Sequence, residues 1–582
     1  MGCLGAIALA GQARADQLFD QQAGALSTPV CSGDPGCNTN YNVIVDLDGD
    51  GALDLVFPNS TGFFTSTGTA EPFVVYKGTK TGTFTDVSAT AVAGFKGAVR
   101  EVAIGDVDGD GDLDMYAPEA HGGADKFFIN QGGMVFADEA ATRIDVHNTD
   151  AGATRFGDFD DDGDLDLFVG LGFATSSMSA GRVYKNDGTG KFALDATALP
   201  NVSVFQVDDV DLADIDGDFD LDIVVNVHQS NFVVFKNDGT GKFTNASSNL
   251  PPHKGGLHYG PGVCDVDGDG DLDIIVDNAE GGNKEQLMIN NGDGTYTDKS
   301  SQIIDDPGDD DNGANCADVD GDGDLDLIIP SLQSPGERVY ENDGHGTFTE
   351  IASAFPGIGD PTLWMDFGDL DGDGRLDAVT AQGEGVPKDE QVYFGNANVA
   401  IDTRAPKIIA QSATMTSAAE QIVRFRISDN AVTDVGPRLQ RAWLKVGLNE
   451  IDAKFVGGDV FRAVIPAGAA GTPIVACATD RQGNTNAECG GENPASTSSS
   501  ASTGASMTTT GASMSTGSTT GSTSSGSGGG GGNGAGDSGG GCGCVVASTD
   551  ETRELFGLAI AVSGAAIVVA RRRSRNHAGS AK

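Results

Sequence analysis

Asp46-Leu-Asp-Gly-Asp-Gly-Ala-Leu-Asp54 decides how this chain is read, because the same nine-residue acidic loop returns seven times, every 51 to 60 residues. Aspartate holds positions 1, 3, 5 and 9 in every copy. The carboxylates are Asp46, Asp48, Asp50 and Asp54; Asp106, Asp108, Asp110 and Asp114; Asp158, Asp160, Asp162 and Asp166; and Asp214, Asp216, Asp218 and Asp222. Asp265, Asp267, Asp269 and Asp273, then Asp318, Asp320, Asp322 and Asp326, and finally Asp369, Asp371, Asp373 and Asp377 complete the set. Four carboxylates on so short a backbone repel one another unless a cation sits among them. Hard divalent ions take oxygen ligands from such loops, with a backbone carbonyl supplied at position 7. The pattern predicts up to seven calcium ions, each tying the start of one structural repeat.

Two other calcium motifs do not fit. An EF-hand needs a bidentate Glu at position 12, where this chain has Phe57, Ala117, Val169, Val225, Val276, Ile329 and Thr380. Tandem nonapeptide repeats recur every nine residues rather than every fifty. The fourth loop is expected to bind most weakly. Its position 6 is Phe219 where the other six have glycine, and a bulky residue held left-handed costs roughly 1–2 kcal/mol.

Each loop is followed by a β-branched run, such as Leu221-Asp-Ile-Val-Val225 or Leu272-Asp-Ile-Ile-Val276. About 20 residues on comes a hairpin signature, as in Val183-Tyr-Lys-Asn-Asp-Gly-Thr-Gly-Lys-Phe192 and Val234-Phe-Lys-Asn-Asp-Gly-Thr-Gly-Lys-Phe243, with glycine free to take positive φ. Roughly four antiparallel strands per repeat, seven times over, describe an all-β fold built as a seven-bladed β-propeller. The seventh repeat lacks an outer strand after Phe394-Gly-Asn-Ala-Asn398. Leu18-Phe-Asp-Gln-Gln-Ala-Gly-Ala-Leu26 matches the outer strand Lys191–Leu199 and is expected to supply it, closing the ring.

These loops and aromatic-Asn-x-Gly hairpins resemble FG-GAP/VCBS repeats, the repeats of integrin α-chain propellers, over residues 16–400. The resemblance implies calcium in a loop at the start of each blade and a role in adhesion or ligand binding. Residues 401–490 change character, with short alternating strands such as Ile422–Asp429, Arg441–Val446, Phe461–Ile465 and Ile474–Asp480. They predict a small β-sandwich, and Asp480-Arg-Gln-Gly-Asn484 resembles the closing hairpin of Ig-like or fibronectin-type modules.

Export is expected at both ends. Residues 1–15 read as a signal peptide ending in Ala13-Arg14-Ala15. Residues 491–541 are a Ser/Thr/Gly-rich stalk. Residues 542–582 hold Cys542-Gly-Cys544, an apolar run from Leu555 to Ala570 and Arg571-Arg-Arg-Ser-Arg575. Together they resemble the MYXO-CTERM sorting signal, which implies a cell-surface or extracellular protein held at the membrane through its C-terminal segment before processing, or instead of it. Cys31 with Cys37, and Cys477 with Cys489, suit local disulfides. Cys264 and Cys316 fit either a bridge or two buried thiols.

The net charge of −50 excludes a conventional nucleic-acid binder. No catalytic motif stands out: HExxH is missing. His253 and His258 read as solvated loop, and Trp364 as core. The favoured reading is a calcium-binding surface protein whose propeller takes an extracellular protein or polysaccharide ligand. The alternative is a secreted polysaccharide-active enzyme, a lyase or hydrolase, on the same scaffold.

Overall fold

Each acidic loop turns one strand into the next, and the second strand starts at the position-9 aspartate in all seven repeats: Asp54, Asp114, Asp166, Asp222, Asp273, Asp326 and Asp377. The computed structural model describes residues 17–489, apart from short stretches within 28–36, 61–69, 146–149, 173–178, 229–231, 278–283, 309–310, 333–335, 358–360, 384–387, 416–419, 432–437 and 467–471. The expected signal peptide, stalk and C-terminal segment lie outside those residues. Among the described residues no helix is long and apolar enough to cross a membrane.

The fourth repeat shows the plan. Val207–Ala213, Asp222–Val227, Val233–Asn237 and Phe243–Asn245 form an antiparallel meander in that order. Its second strand is buried along its whole length, as a β-branched strand covered on both faces must be. Six further sheets repeat the plan, with first strands Val43–Val45, Ala103–Gly105, Ala151–Gly157, Pro261–Cys264, Asn315–Ala317 and Thr362–Gly368. First strands of successive sheets lie side by side from the second sheet to the seventh, and that of the seventh also packs on that of the first.

The seventh sheet draws its outer strand from the other end of the chain. Phe19–Gln21 pairs antiparallel with Gln391–Gly395, with Phe19 opposite Gly395 and Gln21 opposite Tyr393. Phe19 is fully buried, stacks on Phe355 at 4.3 Å between ring centroids and packs with Phe367 and Tyr393. Burying one such ring contributes roughly 1.5–3 kcal/mol.

Beyond residue 401, two sheets face each other across one core. Lys407–Met415, Glu420–Ser428, Val460–Pro466 and Lys454–Gly457 make the first, and Asn449–Asp452, Leu439–Val446 and Ile474–Asp480 the second. Val423, Phe425, Ile427, Leu444, Ile465 and Ala478 fill the space between them. Three of these strands, Lys407–Met415, Asn449–Asp452 and Lys454–Gly457, were not legible as strands in the sequence.

The cysteines resolve the open pairing. Cys264 and Cys316 form a disulfide between the fifth and sixth sheets, and Cys477 pairs with Cys489. Cys37 is disulfide-bonded, while the side chain of its expected partner Cys31 lies outside the described residues. Trp364 is buried and stacks on Tyr41 at 5.0 Å. His258 departs from its expected role as solvated loop, because the Pro/Gly segment folds back onto the fourth and fifth sheets. It is buried, with Nδ1 2.7 Å from the Asp277 carbonyl and Nε2 2.8 Å from His253 Nδ1. Burial holds His258 down to about 4, so the ring is neutral at pH 7.

Candidate metal centre

The loops shape themselves through their own carboxylates. At position 1, one oxygen accepts the N–H of position 6: Gly51 to Asp46 at 3.0 Å, Gly270 to Asp265 at 3.0 Å and Gly374 to Asp369 at 3.0 Å. At position 5, an oxygen accepts the N–H of position 7, as from Asp112 to Asp110 and from Asp324 to Asp322, both at 3.0 Å. These turns need a left-handed residue at position 6. Glycine supplies it at φ +95 in Gly111 and +98 in Gly270, and Phe219 is held there too, at φ +70, with its N–H on Asp214 at 3.1 Å. The fourth loop therefore keeps the common shape and carries the strain.

That shaping leaves oxygens over. Asp46, Asp48 and Asp50 place carboxylate oxygens within 4.8 Å of one another, and Asp158, Asp160 and Asp162, Asp214, Asp216 and Asp218, and Asp265, Asp267 and Asp269 do the same. In the second loop the converging set is Asp106, Asp108 and Asp114. Oδ1 of Asp46, Asp48, Asp108, Asp158, Asp160, Asp216 and Asp267 is buried with no hydrogen-bond partner. Buried, unpaired and convergent carboxylate oxygens fit a hard cation and little else. Burial raises Asp158 to about 7, and Asp214 and Asp318 to about 6, so without a cation protons compete for these positions.

Position 9 is placed differently from positions 1, 3 and 5. Both oxygens of each carboxylate accept backbone N–H groups. In the fourth repeat Asp222 takes Ile215 at 3.2 Å and Asn237 at 2.7 Å, and in the fifth Asp273 takes Val266 at 3.0 Å and Asn290 at 2.8 Å. These carboxyls are almost wholly buried. Burial pushes them up, against the pull of those N–H groups, to about 6 for Asp54, about 7 for Asp114 and about 8 for Asp166, Asp222, Asp273 and Asp377. Position 9 thus pins loop to hairpin as well as facing the acidic cluster.

The hairpin asparagines do more than turn the chain. Asn237 Nδ2 donates to Leu221 O in its own loop at 3.1 Å and to Phe159 O in the preceding one at 2.9 Å. Asn130, Asn186, Asn290 and Asn342 repeat the arrangement, reaching back to Leu47 O, Val107 O, Ile215 O and Val266 O. Each amide therefore ties two neighbouring sheets. The signal was present in the sequence as one asparagine 15 to 20 residues behind the loop in the second to sixth repeats, but its second acceptor lies in another repeat. Sequence reasoning also missed Lys77, Lys185 and Lys236, whose ammonium groups pair with the position-3 carboxylates Asp48, Asp160 and Asp216.

The residues beyond 401 meet the loops through arginines. Arg424 and Arg462 bracket Asp161 of the third loop, with Nε at 2.8 and 3.0 Å from its Oδ1. Arg426 donates to Gly270 O at 3.1 Å, Arg404 to Gly321 O at 2.7 Å, and Arg481 pairs with Asp46 at 3.2 Å. Arg438 pairs with Asp366 at 2.9 Å, just ahead of the seventh loop. The loop end of the sheets is the end that the residues beyond 401 cover.

The family of FG-GAP-like repeats matches residues 46–117, 214–276, 279–329 and 332–380. With its meander sheets and acidic loops, the chain carries an FG-GAP repeat β-propeller. No curated protein matches the sequence. Among solved structures, BBS1N in complex with ARL6DN is similar at 12% identity over 67% of this chain and 100% of that one, with a TM-score of 0.41. YCF48 bound to D1 peptide is similar at 8% identity over 64% and 99%, with a TM-score of 0.38. The V. cholerae biofilm matrix protein Bap1 is similar at 12% over 81% and 75%, with a TM-score of 0.33. Overlays this loose carry no argument about function.

Proposed function

We propose that this protein is an exported, calcium-stabilised seven-bladed β-propeller that binds an extracellular protein or polysaccharide. The observation that carries the reading is the set of buried carboxylate oxygens left without partners at positions 1 and 3 of the loops. Positions 1, 3, 5 and 9 and the carbonyl at position 7 would hold calcium, which supplies charge neutralisation and so couples metal affinity to folding. The residues beyond 401 serve as an Ig-like or fibronectin-like sandwich seated on the loop end. The opposite end of the propeller is then the one free to take a ligand. A stalk and a MYXO-CTERM-like tail would hold the protein at the cell surface.

Binding of the mature chain to protein and glycan arrays, with calcium and with chelator, tests this. Saturable, calcium-dependent binding without turnover is expected. Turnover of a polysaccharide would replace the reading with an enzyme, and a melting curve indifferent to chelator would remove calcium from it.

A further inference from the structure

The residue just ahead of the hairpin Asn or Gly changes charge from repeat to repeat. It is Lys77, Lys185 and Lys236 in the first, third and fourth repeats, Ile129 and Ile289 in the second and fifth, Glu341 in the sixth and Phe394 in the seventh. Each lysine meets position 3 of its own loop. Lys185 Nζ stands 2.6 Å from Asp160 Oδ2, and Lys77 and Lys236 contact Oδ2 of Asp48 and Asp216. Lys77 and Lys236 also reach position 5, at 2.9 Å from Asp50 and 3.4 Å from Asp218. In the second repeat Arg143, from the helix Ala140–Arg143, brings its guanidinium 3.1 Å from Asp108 Oδ2. Four loops thus hold a side-chain cation on the same carboxylate, delivered in one of them by a different element.

That carboxylate divides its oxygens. Oδ2 faces the side-chain cation, whereas Oδ1 of Asp48, Asp108, Asp160 and Asp216 is buried with no hydrogen-bond partner. The side-chain cation therefore stands outside the converging oxygens and leaves the inner one for a metal. A divalent ion on the inner oxygen would share a carboxylate with a fixed positive charge, and like charges so placed repel. Without an ion, the same charge offsets repulsion among the carboxylates. Orientation is the opposite role, in which the ammonium fixes the carboxylate for the metal and raises affinity. The fifth loop argues against it. Asp267 presents the same buried, unpartnered Oδ1 in the repeat that carries Ile289, so turning that oxygen inward does not need a lysine.

On the reading that the loops hold calcium, we propose that Lys77 and Lys236 are tethered competitors of the ion, supporting their loops without metal and lowering calcium affinity there. Lys185 and Arg143 act in the same sense but also tie repeats together, donating to Thr240 O at 3.1 Å and Thr189 O at 2.6 Å. Lys77 and Lys236 carry no such tie to another hairpin in their printed contacts with Asp48, Asp50, Asp216 and Asp218, and their half-exposed side chains limit the effect by screening.

Full-length Lys77→Met/Lys236→Met protein is compared with wild type by native mass spectrometry at buffered free calcium, and by melting in chelator and in saturating calcium. At the free calcium that half-loads wild type, the variant is expected to carry more ions, with roughly three- to ten-fold tighter binding at two sites. It should melt below wild type in chelator and level with it in saturating calcium. Ile289→Lys, the converse change, should weaken the fifth loop by a similar factor. Equal or lighter loading of the folded double variant would overturn the inference, lighter loading pointing to orientation. A melting deficit of the same size with and without calcium would overturn it too, since a plain surface ion pair behaves that way. Wild type that takes up no calcium at any concentration would remove the calcium reading and this inference with it. Wild type that loads while the variants match it would remove only the role of the lysines.

Discussion

Five of the seven junctions between sheets are tied by an asparagine amide, and the two at the ring closure are not. In the second to sixth sheets the hairpin Asn spans two loops, whereas the first and seventh have Gly78 and Gly395 at that place. The backbone there runs closer to its own loop: a Cβ on Gly78 would lie 1.9 Å from Leu53 O, and one on Gly395 2.4 Å from Leu376 O. The seventh sheet recovers one lost bond from the linker, whose Ala400 N–H donates to Val319 O at 3.1 Å. The rest of the closure is the N-terminal strand. A ring can thus be held by one repeated side-chain bond, provided that the break between chain ends is closed by burial instead.

The largest effect should come from opening that closure. Deleting residues 17–27 should abolish cooperative folding of the propeller, and Phe19→Ala should cost about 3–5 kcal/mol in a denaturant melt. A loss no larger than that of a surface substitution would show that the closing strand is ornamental.

Next in size should be removal of the proposed calcium, which would act on every repeat because position 9 holds both loop and hairpin. Chelation should lower Tm by roughly 10 °C or more, since linked binding at several sites adds. The pH dependence of the chelated protein has a definite sign. Position-9 carboxyls such as Asp222 and Asp273 sit at about 8 when folded, against an ordinary 3.8. Their stability contribution is complete below the unfolded value and is lost as pH rises through about 8. Chelated protein should therefore melt higher at pH 5 than at pH 8.5, and calcium should erase the difference.

The amide ties come third. Asn237→Ala leaves Phe159 O and Leu221 O buried without their donor and should cost roughly 1–3 kcal/mol. Gly78→Asn should not install a sixth tie. Its Cβ collides with backbone, so a loss of roughly 1–3 kcal/mol is expected. A stabilised Gly78→Asn would refute the account of the two junction types.

The smallest effect concerns the fourth loop. Phe219→Gly should relieve left-handed strain and gain about 1 kcal/mol, with tighter calcium binding at Asp214–Asp222 by calorimetry. An identical affinity would mean that Phe219, half-buried in the fold, recovers its strain through contacts.

Sequence alone determined the repeat count, the strand after each loop, the hairpins and the N-terminal closing strand. All of these follow from periods and turn chemistry within about fifty residues of chain. It also supplied the candidate ligands at positions 1, 3 and 5, because loop carboxylates and the cation they suit are neighbours in sequence. Tertiary structure decided what depends on residues from different repeats meeting. The second acceptor of Asn237 is 78 residues away, and Arg462 reaches Asp161 across 301. A buried polar group is satisfied or not by what lies across an interface, and no local period encodes that.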